Sequence, residues 1–270
     1  MGLRVNTNVP SLTAQRNLAA VTGRLQGNFA RLSSGLRIAT AADDAAGLGV
    51  SERMRSQIRS YAVAGRNAQD GVSLVQTAEG AMQEISNNLT RMRELAIQGA
   101  NGTLTTADRA TLDTEYQELI SEIDRIATQT TFNGVNLLNS SSTVAIQVGT
   151  QANETITVTF ADVTAATLSL TGDVTTAANA SSELATLDTA ITSVTTARGQ
   201  MGATQNRMQS AISSIANVRE NLAAAESRIR DVDVALETAD LTRNSILQQA
   251  ATSVLAQANV QPQLALTLLS

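Results

Sequence analysis

Asp43 and Asp44 are the residues best arranged for chemistry, because two adjacent carboxylates can serve acid–base catalysis or bind a metal ion. No third acid lies beside them, and the chain has no histidine that could complete either kind of site. Small residues, Ala45 to Gly47, follow the pair. Since carboxylates in the first turn of a helix interact favourably with the helix dipole, we interpret the pair as a helix start.

The residue types that most enzymes need are missing. The chain contains no cysteine and no histidine, which excludes disulfides, thiol nucleophiles and serine–histidine triads. All 19 basic residues are arginine, so a Schiff-base lysine and the lysine of a phosphate loop are also absent. We therefore expect no enzymatic activity, no cofactor and no bound metal.

The charge is unevenly distributed along the chain. The formal net charge is −5, yet residues 1–66 carry nine arginines against three acids, which leaves the remainder strongly acidic. This balance argues against nucleic-acid binding and favours charge complementarity within or between subunits. The N-terminus lacks the apolar core of a secretory signal, and the uncharged residues 244–270 are interrupted by too many amides and hydroxyls to insert into a membrane.

Two long ladders of apolar residues, spaced by alternating steps of three and four, predict long helices. The first ladder indicates one helix of roughly 50 residues. A shorter helix with Leu112, Tyr116 and Ile123 follows it after possible caps at Thr105, Thr106 and Asp108. We expect the two ladders to form the seam of a helical bundle. Its predicted residues are Val75, Met82, Ile85, Leu89 and Met92 in the first ladder and Ile191, Met201, Met208, Ile212, Ile215 and Leu222 in the second.

The two ends of the chain carry thinner apolar stripes. The N-terminal stripe contains Leu18, Val21, Leu25, Phe29, Leu32 and Leu36, and the C-terminal stripe contains Leu247, Ala250, Val254 and Ala258. Helices with so little apolar surface are marginal in water. We therefore expect these helices to fold only against each other or against neighbouring copies of the chain.

The centre of the chain changes from helical to β-type composition. Residues 143–148 and 154–160 alternate β-branched residues around a short turn, which predicts a β-hairpin, and residues 168–170 predict one more short strand. Asn133-Gly134 predicts a tight turn before the hairpin. The expected fold is mainly α, a long antiparallel helical bundle or coiled coil with a small β-hairpin region.

Several runs of the sequence resemble bacterial flagellins. The N-terminal runs are RLSSGLRIATAADDAAGLGVSERMRSQI from Arg31, NLTRMRELAIQGANGT and TTFNGVNLL; the C-terminal runs are AESRIRDVDVA and ILQQAATSVLAQANVQPQLALTLL. The resemblance spans roughly residues 1–160 and 185–270, in order and with consistent spacing. The short centre resembles a minimal flagellin that lacks the outer variable domains.

The resemblance implies a division into two domains. Residues 1–40 and 233–270 would form a filament-core domain in which the terminal helices pair, with the Ser33–Gly35 run in the linker. Residues 41–180, with the hairpin near 143–160, and residues 181–232 would form the bundle domain. In this interpretation the polymerisation core contains Leu18, Val21, Leu25, Leu32, Leu247, Val254 and Ala258.

The resemblance also implies a function and partners. The chain would be exported unfolded by the flagellar type III system and would polymerise with identical subunits into the extracellular flagellar filament. Its partners would be a chaperone at the C-terminal helix, the filament cap and the hook–filament junction proteins. The alternative functions are a hook–filament junction protein and a coiled-coil sensor or effector, although the sequence has no ligand domain or transmembrane segment for a sensor.

Three residues match the positions at which some flagellins contact the animal Toll-like receptor 5. They are Arg91, Leu95 and Glu115. The competing interpretation is that all three support bundle packing and contacts within the filament, and Leu95 lies directly beside the ladder residue Ala96. The sequence leaves both interpretations open.

Overall fold

The computed structural model describes the backbone of residues 7–267 and the side chains of residues 7–260. Within this range the helices are α1 Val9–Ser34, α2 Ala45–Gly99, α3 Thr106–Gln129, α4 Ala177–Arg230 and α5 Val234–Thr267, and the strands are β1 Thr131–Phe132, β2 Val135–Asn136, β3 Ser142–Gln147 and β4 Thr155–Phe160. None of the described helices is long and apolar enough to cross a membrane. The mainly α fold with a small β-hairpin is confirmed.

The chain divides into two compact units by its internal contacts. One unit contains residues 57–220, and the other contains the flanking chain through Ser56 and from Asn221 onward. Both boundaries fall inside long helices, so the first turns of α2 and the last turns of α4 group with the terminal helices. The predicted boundaries at residues 40 and 232 remain a prediction.

The helix starts follow from short polar side chains just before each helix. Asp44 precedes α2, and its Oδ1 accepts from the Gly47 amide at 2.9 Å, which confirms the interpretation of the acidic pair as a helix start. Hydrogen bonds from the Thr40 amide and hydroxyl and from the Ala39 amide lower the pKa of Asp43. The acids that looked most like a catalytic pair therefore hold backbone at a helix entrance.

A capping box formed by Thr105 and Asp108, two of the three predicted caps, starts α3, and Thr106 is the first residue of the helix. The Asp108 amide donates to the Thr105 hydroxyl oxygen, and the Thr105 amide donates to the Asp108 carboxylate at 3.0 Å. The Thr105 side chain and amide both lower the pKa of Asp108 by hydrogen bonding to its carboxylate. This reciprocal pairing fixes the position at which the chain turns from α2 into α3.

The core of the 57–220 unit is an apolar seam along α2 and α4. Its buried members on α2 include Val75, Met82, Ile85, Leu89 and Met92, and those on α4 include Leu187, Val194, Met201, Met208 and Ile215. Ile191 and Ile212 are only partly buried. At Gly71 a β-carbon would come within 2.9 Å of the Met208 sulfur, so glycine allows close approach there.

The β-hairpin covers one side of this core. β3 and β4 pair antiparallel from Ser142 opposite Phe160 to Gln147 opposite Thr155. Along β4, the buried residues Ile156, Val158 and Phe160 alternate with exposed threonines, so a single face turns inward. The hairpin prediction is confirmed.

A tight turn joins the short strands β1 and β2. Asn133 and Gly134 both have positive φ angles, 48° and 78°, as two-residue hairpin turns require. The turn predicted at this Asn-Gly pair is confirmed.

The strand predicted at residues 168–170 is wrong, because this segment satisfies its backbone groups without a strand partner. The Leu170 amide donates to the Ala165 carbonyl, and Ser169 has a φ of 59°. Leu168 and Leu170 are buried, so the apolar character that suggested a strand instead packs an irregular segment into the core.

Polar side chains on α3 hold that irregular segment. Asp113 accepts from the Val174 amide at 2.9 Å, and Asp124 accepts from the Ala165 amide at 2.8 Å. The Gln117 side-chain amide donates to the Gly172 carbonyl at 3.1 Å. These bonds replace the sheet pairing that the segment lacks.

Tyr116 links α3 to the start of α4 inside the core. Its ring is fully buried, and its hydroxyl donates to Glu183 Oε2 at 3.0 Å. Burial and the neighbouring Glu183 charge both raise the pKa of the Tyr116 hydroxyl. The folded unit therefore favours the neutral phenol.

We expect Ile85→Asp to unfold the 57–220 unit, because it places an unpaired charge in the seam at a cost of more than about 4 kcal/mol. Ile97→Asp is the matched control on the same helix, since Ile97 is 50% exposed. Circular dichroism and thermal unfolding measure both variants. Helicity of Ile85→Asp equal to that of the control would contradict the assignment of the seam.

We expect stability to fall as the pH rises above about 10, the ordinary pKa of tyrosine. The raised pKa stabilises the fold fully below that value and ceases to do so as the phenol ionises. Tyr116→Phe should lose about 1 kcal/mol at neutral pH and show a flatter alkaline decline. Tyr61→Phe, at the other tyrosine, is the control and should keep the decline; equal slopes in urea titrations of the two variants would contradict this role.

Candidate functional site

The pairing of α1 with α5 is the first candidate assembly surface. On α1 a heptad of buried or partly buried positions faces α5: Ser11, Ala14, Leu18, Val21, Leu25, Asn28 and Leu32. The predicted stripe differs from this seam at two positions. Phe29 is exposed and Asn28 takes its place, and Leu36 lies beyond the end of α1. Because Asn28 is polar, the spacing of apolar residues alone did not identify this heptad position.

Most of the apolar stripe predicted on α5 lies outside the face that packs within the chain. Leu247 is 42% exposed and Val254 is 59% exposed, and of the stripe only Ala258 is buried. The face with heptad spacing that is buried or partly buried carries Glu237, Leu241, Asn244, Gln248, Ala251, Leu255 and Ala258. Three of these residues are polar, so apolar periodicity pointed to the neighbouring face.

The α1–α5 pair is tied by polar contacts toward both of its ends. Near one end, Asn28 contacts Glu237 and Asn244. Near the other, the Asn8 side-chain amide donates to the Ala258 carbonyl at 2.8 Å, and the Ser11 hydroxyl donates to Asn259 at 2.8 Å. The sequence predicted only Ala258 among these residues. Ser11, Asn28, Glu237 and Asn244 are polar residues at heptad positions, which is the one local signal that could have found them.

The connectors beside the terminal helices pair with each other. Leu36, after α1, forms an isolated antiparallel bridge with Asp231, after α4. The Arg37 amide donates to the Arg230 carbonyl at 2.7 Å, and the Val232 amide donates to the Gly35 carbonyl at 3.0 Å. Gly35 has a φ of 71°, which lets the chain leave α1 in a left-handed conformation that other residues resist.

An ion pair fastens the first turns of α2 to the end of α4. Arg230 Nη1 donates to Glu52 Oε1 at 2.6 Å. This hydrogen bond and the nearby Arg55 charge lower the pKa of Glu52. Leu222, predicted as a seam residue, lies in this part of α4 and is partly buried.

The residues predicted for receptor contact are only partly suited to that role. Arg91 Nε lies 2.8 Å from Glu115 Oε1, both side chains are about half exposed, and the carboxylates of Glu115 and Glu94 raise the pKa of Arg91. Leu95 is fully buried in the core, which contradicts its assignment as a contact residue. Its place beside Ala96 in the seam turns it away from solvent.

No group of three potential metal ligands gathers within the described residues. An open groove of about 540 Å³ runs along α1 and α5. Its lining combines the small residues Ala20, Gly23 and Gly27 with charged and amide side chains.

Sequence and structure comparisons place the chain among known proteins. The N-terminal helical region of bacterial flagellin matches residues 5–143, and the C-terminal helical region matches residues 184–269. A flagellin from Halalkalibacterium halodurans is 47% identical over 269 residues, which cover 98% of this chain and 99% of that protein. A flagellar filament 30.7 kDa core protein from Treponema maltophilum is 42% identical over 283 residues, 98% of this chain and 99% of that protein.

A solved structure agrees with these matches. The crystal structure of Bacillus cereus flagellin is similar with a TM-score of 0.52 at 36% identity, and the match covers 60% of this chain and 94% of that one. Only residues 144–183 separate the two matched helical regions, which is the short centre of a minimal flagellin. The two matched family regions, together with 47% identity to a flagellin over 98% of the chain, show that the chain belongs to the bacterial flagellin family.

Proposed function

We propose that the chain is a non-enzymatic structural subunit that polymerises into the extracellular bacterial flagellar filament. The observation that carries this proposal is the outer face of α5. Ile246, Leu247 and Val254 stay largely exposed although the opposite face packs on α1. Exposed apolar surface of this kind serves protein–protein contact, and identical neighbours in a filament would cover it.

We also propose the division into a filament-core domain, residues 1–40 and 233–270, and a bundle domain, residues 41–232. The paired connectors support it, because Leu36 and Asp231 form their bridge near both proposed boundaries. The predicted polymerisation residues then have two roles. Leu18, Val21, Leu25, Leu32 and Ala258 pack α1 and α5 together, while Leu247 and Val254 face a neighbouring subunit.

The same exposed face supports the proposed route and partners. A C-terminal helix with an uncovered apolar face needs a chaperone before assembly. Export of the unfolded chain by the flagellar type III system is compatible with the absence of cysteine, since no disulfide has to be broken. At the filament ends the partners are the cap and the hook–filament junction proteins; nucleic acid and membrane insertion are not part of the proposal.

Recognition by Toll-like receptor 5 is proposed for Arg91 and Glu115 alone. Their charges are accessible and fixed by a 2.8 Å ion pair, so they can present a defined polar contact. Leu95 acts indirectly, because its packing positions the α2 backbone that carries Arg91. The competing interpretation, that the pair serves only contacts within the filament, predicts no loss of receptor signalling when Arg91 is replaced.

Negative-stain electron microscopy after assembly in a kosmotropic salt tests the filament role. Long uniform helical filaments are the expected result. Short stacks with few layers would favour the hook–filament junction alternative, and persistent monomers would contradict both functions.

We expect removal of residues 241–270 to abolish polymerisation while the 57–220 unit stays folded. The truncation deletes most of α5, together with its exposed apolar face and all of its side-chain hydrogen bonds to α1 except those of Glu237. Sedimentation measures assembly, and the cooperativity of thermal unfolding followed by circular dichroism reports the remaining unit. The full chain is the control; loss of the cooperative transition in the truncated chain would contradict the proposed division into domains.

We expect Leu95→Ala to lower the free energy of unfolding by about 2–5 kcal/mol, because it leaves a cavity in the core. Arg91→Ala, one helical turn away, removes an exposed ion pair and should cost less than about 1 kcal/mol. Urea denaturation measures stability, and a receptor reporter assay measures signalling. Reduced signalling by Arg91→Ala at unchanged stability supports direct contact, whereas unchanged signalling by Arg91→Ala would contradict it.

A further inference from the structure

The seam between α1 and α5 contains polar side chains at positions where a coiled coil ordinarily places apolar residues. Asn28 on α1 is 1% exposed, and Asn244 on α5 is 9% exposed. The Glu237 side chain is also largely buried beside them. Such residues lower the stability of a helix pair compared with leucine, so their presence calls for a different physical explanation.

The three residues form a connected set of hydrogen bonds across the two helices. The Asn28 Nδ2 donates to Glu237 Oε1 at 2.6 Å, and Asn28 Oδ1 accepts from Asn244 Nδ2 at 2.9 Å. Arg31 Nε donates to the same Glu237 oxygen at 2.8 Å. Asn28 therefore uses both its donor and its acceptor on partners in α5.

The remaining seam residues discriminate poorly between alignments of the two helices. Ala14, Leu18, Val21 and Leu25 on α1 repeat with heptad spacing, and Leu241, Ala251, Leu255 and Ala258 do so on α5. A slip of seven residues, about 10.5 Å, would again place apolar residues opposite each other. In the direction that brings Thr252 to the place of Asn259, the slip would put Glu237 in the place of Asn244 beside Asn28, because the two residues are seven positions apart. It would also move Asn244 opposite Val21 and leave its buried amide unpaired, which is unfavourable.

We propose that Asn28, Asn244 and Glu237 determine the register of the α1–α5 pair. They make one antiparallel alignment much more favourable than the alignment displaced by a heptad. In the filament role proposed above, on which this second step rests, the register also fixes the height at which Ile246, Leu247 and Val254 meet the next subunit. A slipped pair would present these side chains about 10.5 Å out of place.

The register itself can be measured by disulfide formation in the soluble full-length chain, which has no native cysteine. Ser11→Cys with Asn259→Cys reports the native register, because these side chains are in hydrogen-bond contact. Ser11→Cys with Thr252→Cys reports a slip of one heptad. The Ser11 substitution removes the Ser11–Asn259 hydrogen bond, so that bond no longer contributes to the register and the effect of the Asn28 cluster is measured separately.

With the cluster intact, we expect native-register cross-linking to exceed slipped cross-linking by at least about tenfold. Introducing Asn28→Leu and Asn244→Leu should reduce this ratio toward one, while helicity is kept or increased. Asn17→Leu with Gln249→Leu, at exposed positions on the same helices, is the matched control and should leave the ratio unchanged.

Exclusive native-register cross-linking in the Asn28→Leu, Asn244→Leu chain would overturn the proposal, and so would equal cross-linking of both reporter pairs in the chain with the cluster intact. Absence of any cross-link with the cluster intact would overturn it as well, because the pairing in question would not exist. Failure of the proposed function is a separate result, since it appears as absence of filaments from the unsubstituted chain. The Asn28→Leu, Asn244→Leu chain should form shorter or irregular filaments by electron microscopy.

Discussion

The terminal helices must pair with very little apolar surface between them, and the rest of the assembly surface depends on how they do so. In the seam of α1 and α5, amides and a carboxylate take positions that leucine occupies in an ordinary coiled coil. Directional hydrogen bonds thus provide geometric selectivity where apolar burial provides little. The apolar residues that the pair leaves outside, including Leu247 and Val254, remain available to other molecules.

The 57–220 unit differs from the terminal pair because its helices pack through apolar residues. Its seam is almost wholly apolar, from Val75 to Met92 on α2, and it buries enough surface to be stable as a long helical bundle. Polar groups lie instead around the seam, where they organise chain that has no regular partner. Asp113 and Asp124 on α3 hold residues 161–176 in this way, and Tyr116 reaches Glu183 across the core.

The difference between these two seams explains which buried faces could be predicted from the sequence. The heptad on α2 is apolar at nearly every step, so spacing alone predicted the helix and its buried face. On α5 the seam includes Glu237, Asn244 and Gln248, and the apolar spacing selected Leu247 and Val254 on the neighbouring face. The strand predicted at 168–170 failed for a related reason, because buried leucines do not specify whether the backbone finds a strand partner or side-chain acceptors.

The candidate sites could likewise be predicted only where near neighbours in sequence determine them. Asp43 and Asp44 could be recognised as a helix start because capping depends on near neighbours in sequence. The burial of Leu95 and the pairing of Asn28 with Asn244 depend on a partner helix far along the chain. No local pattern contains that information, and only the three-dimensional arrangement supplies it.

The contact between Asn8 and Ala258 joins residues that are 250 positions apart. Closing so long a loop carries a large entropic cost, and it cannot occur until nearly the whole polypeptide is present. The β-hairpin and the turn from α2 into α3 close over far shorter distances and form sooner. We therefore expect the two ends to pair after these local contacts have formed, so that an ordered α1–α5 pair reports a chain whose interior is already folded.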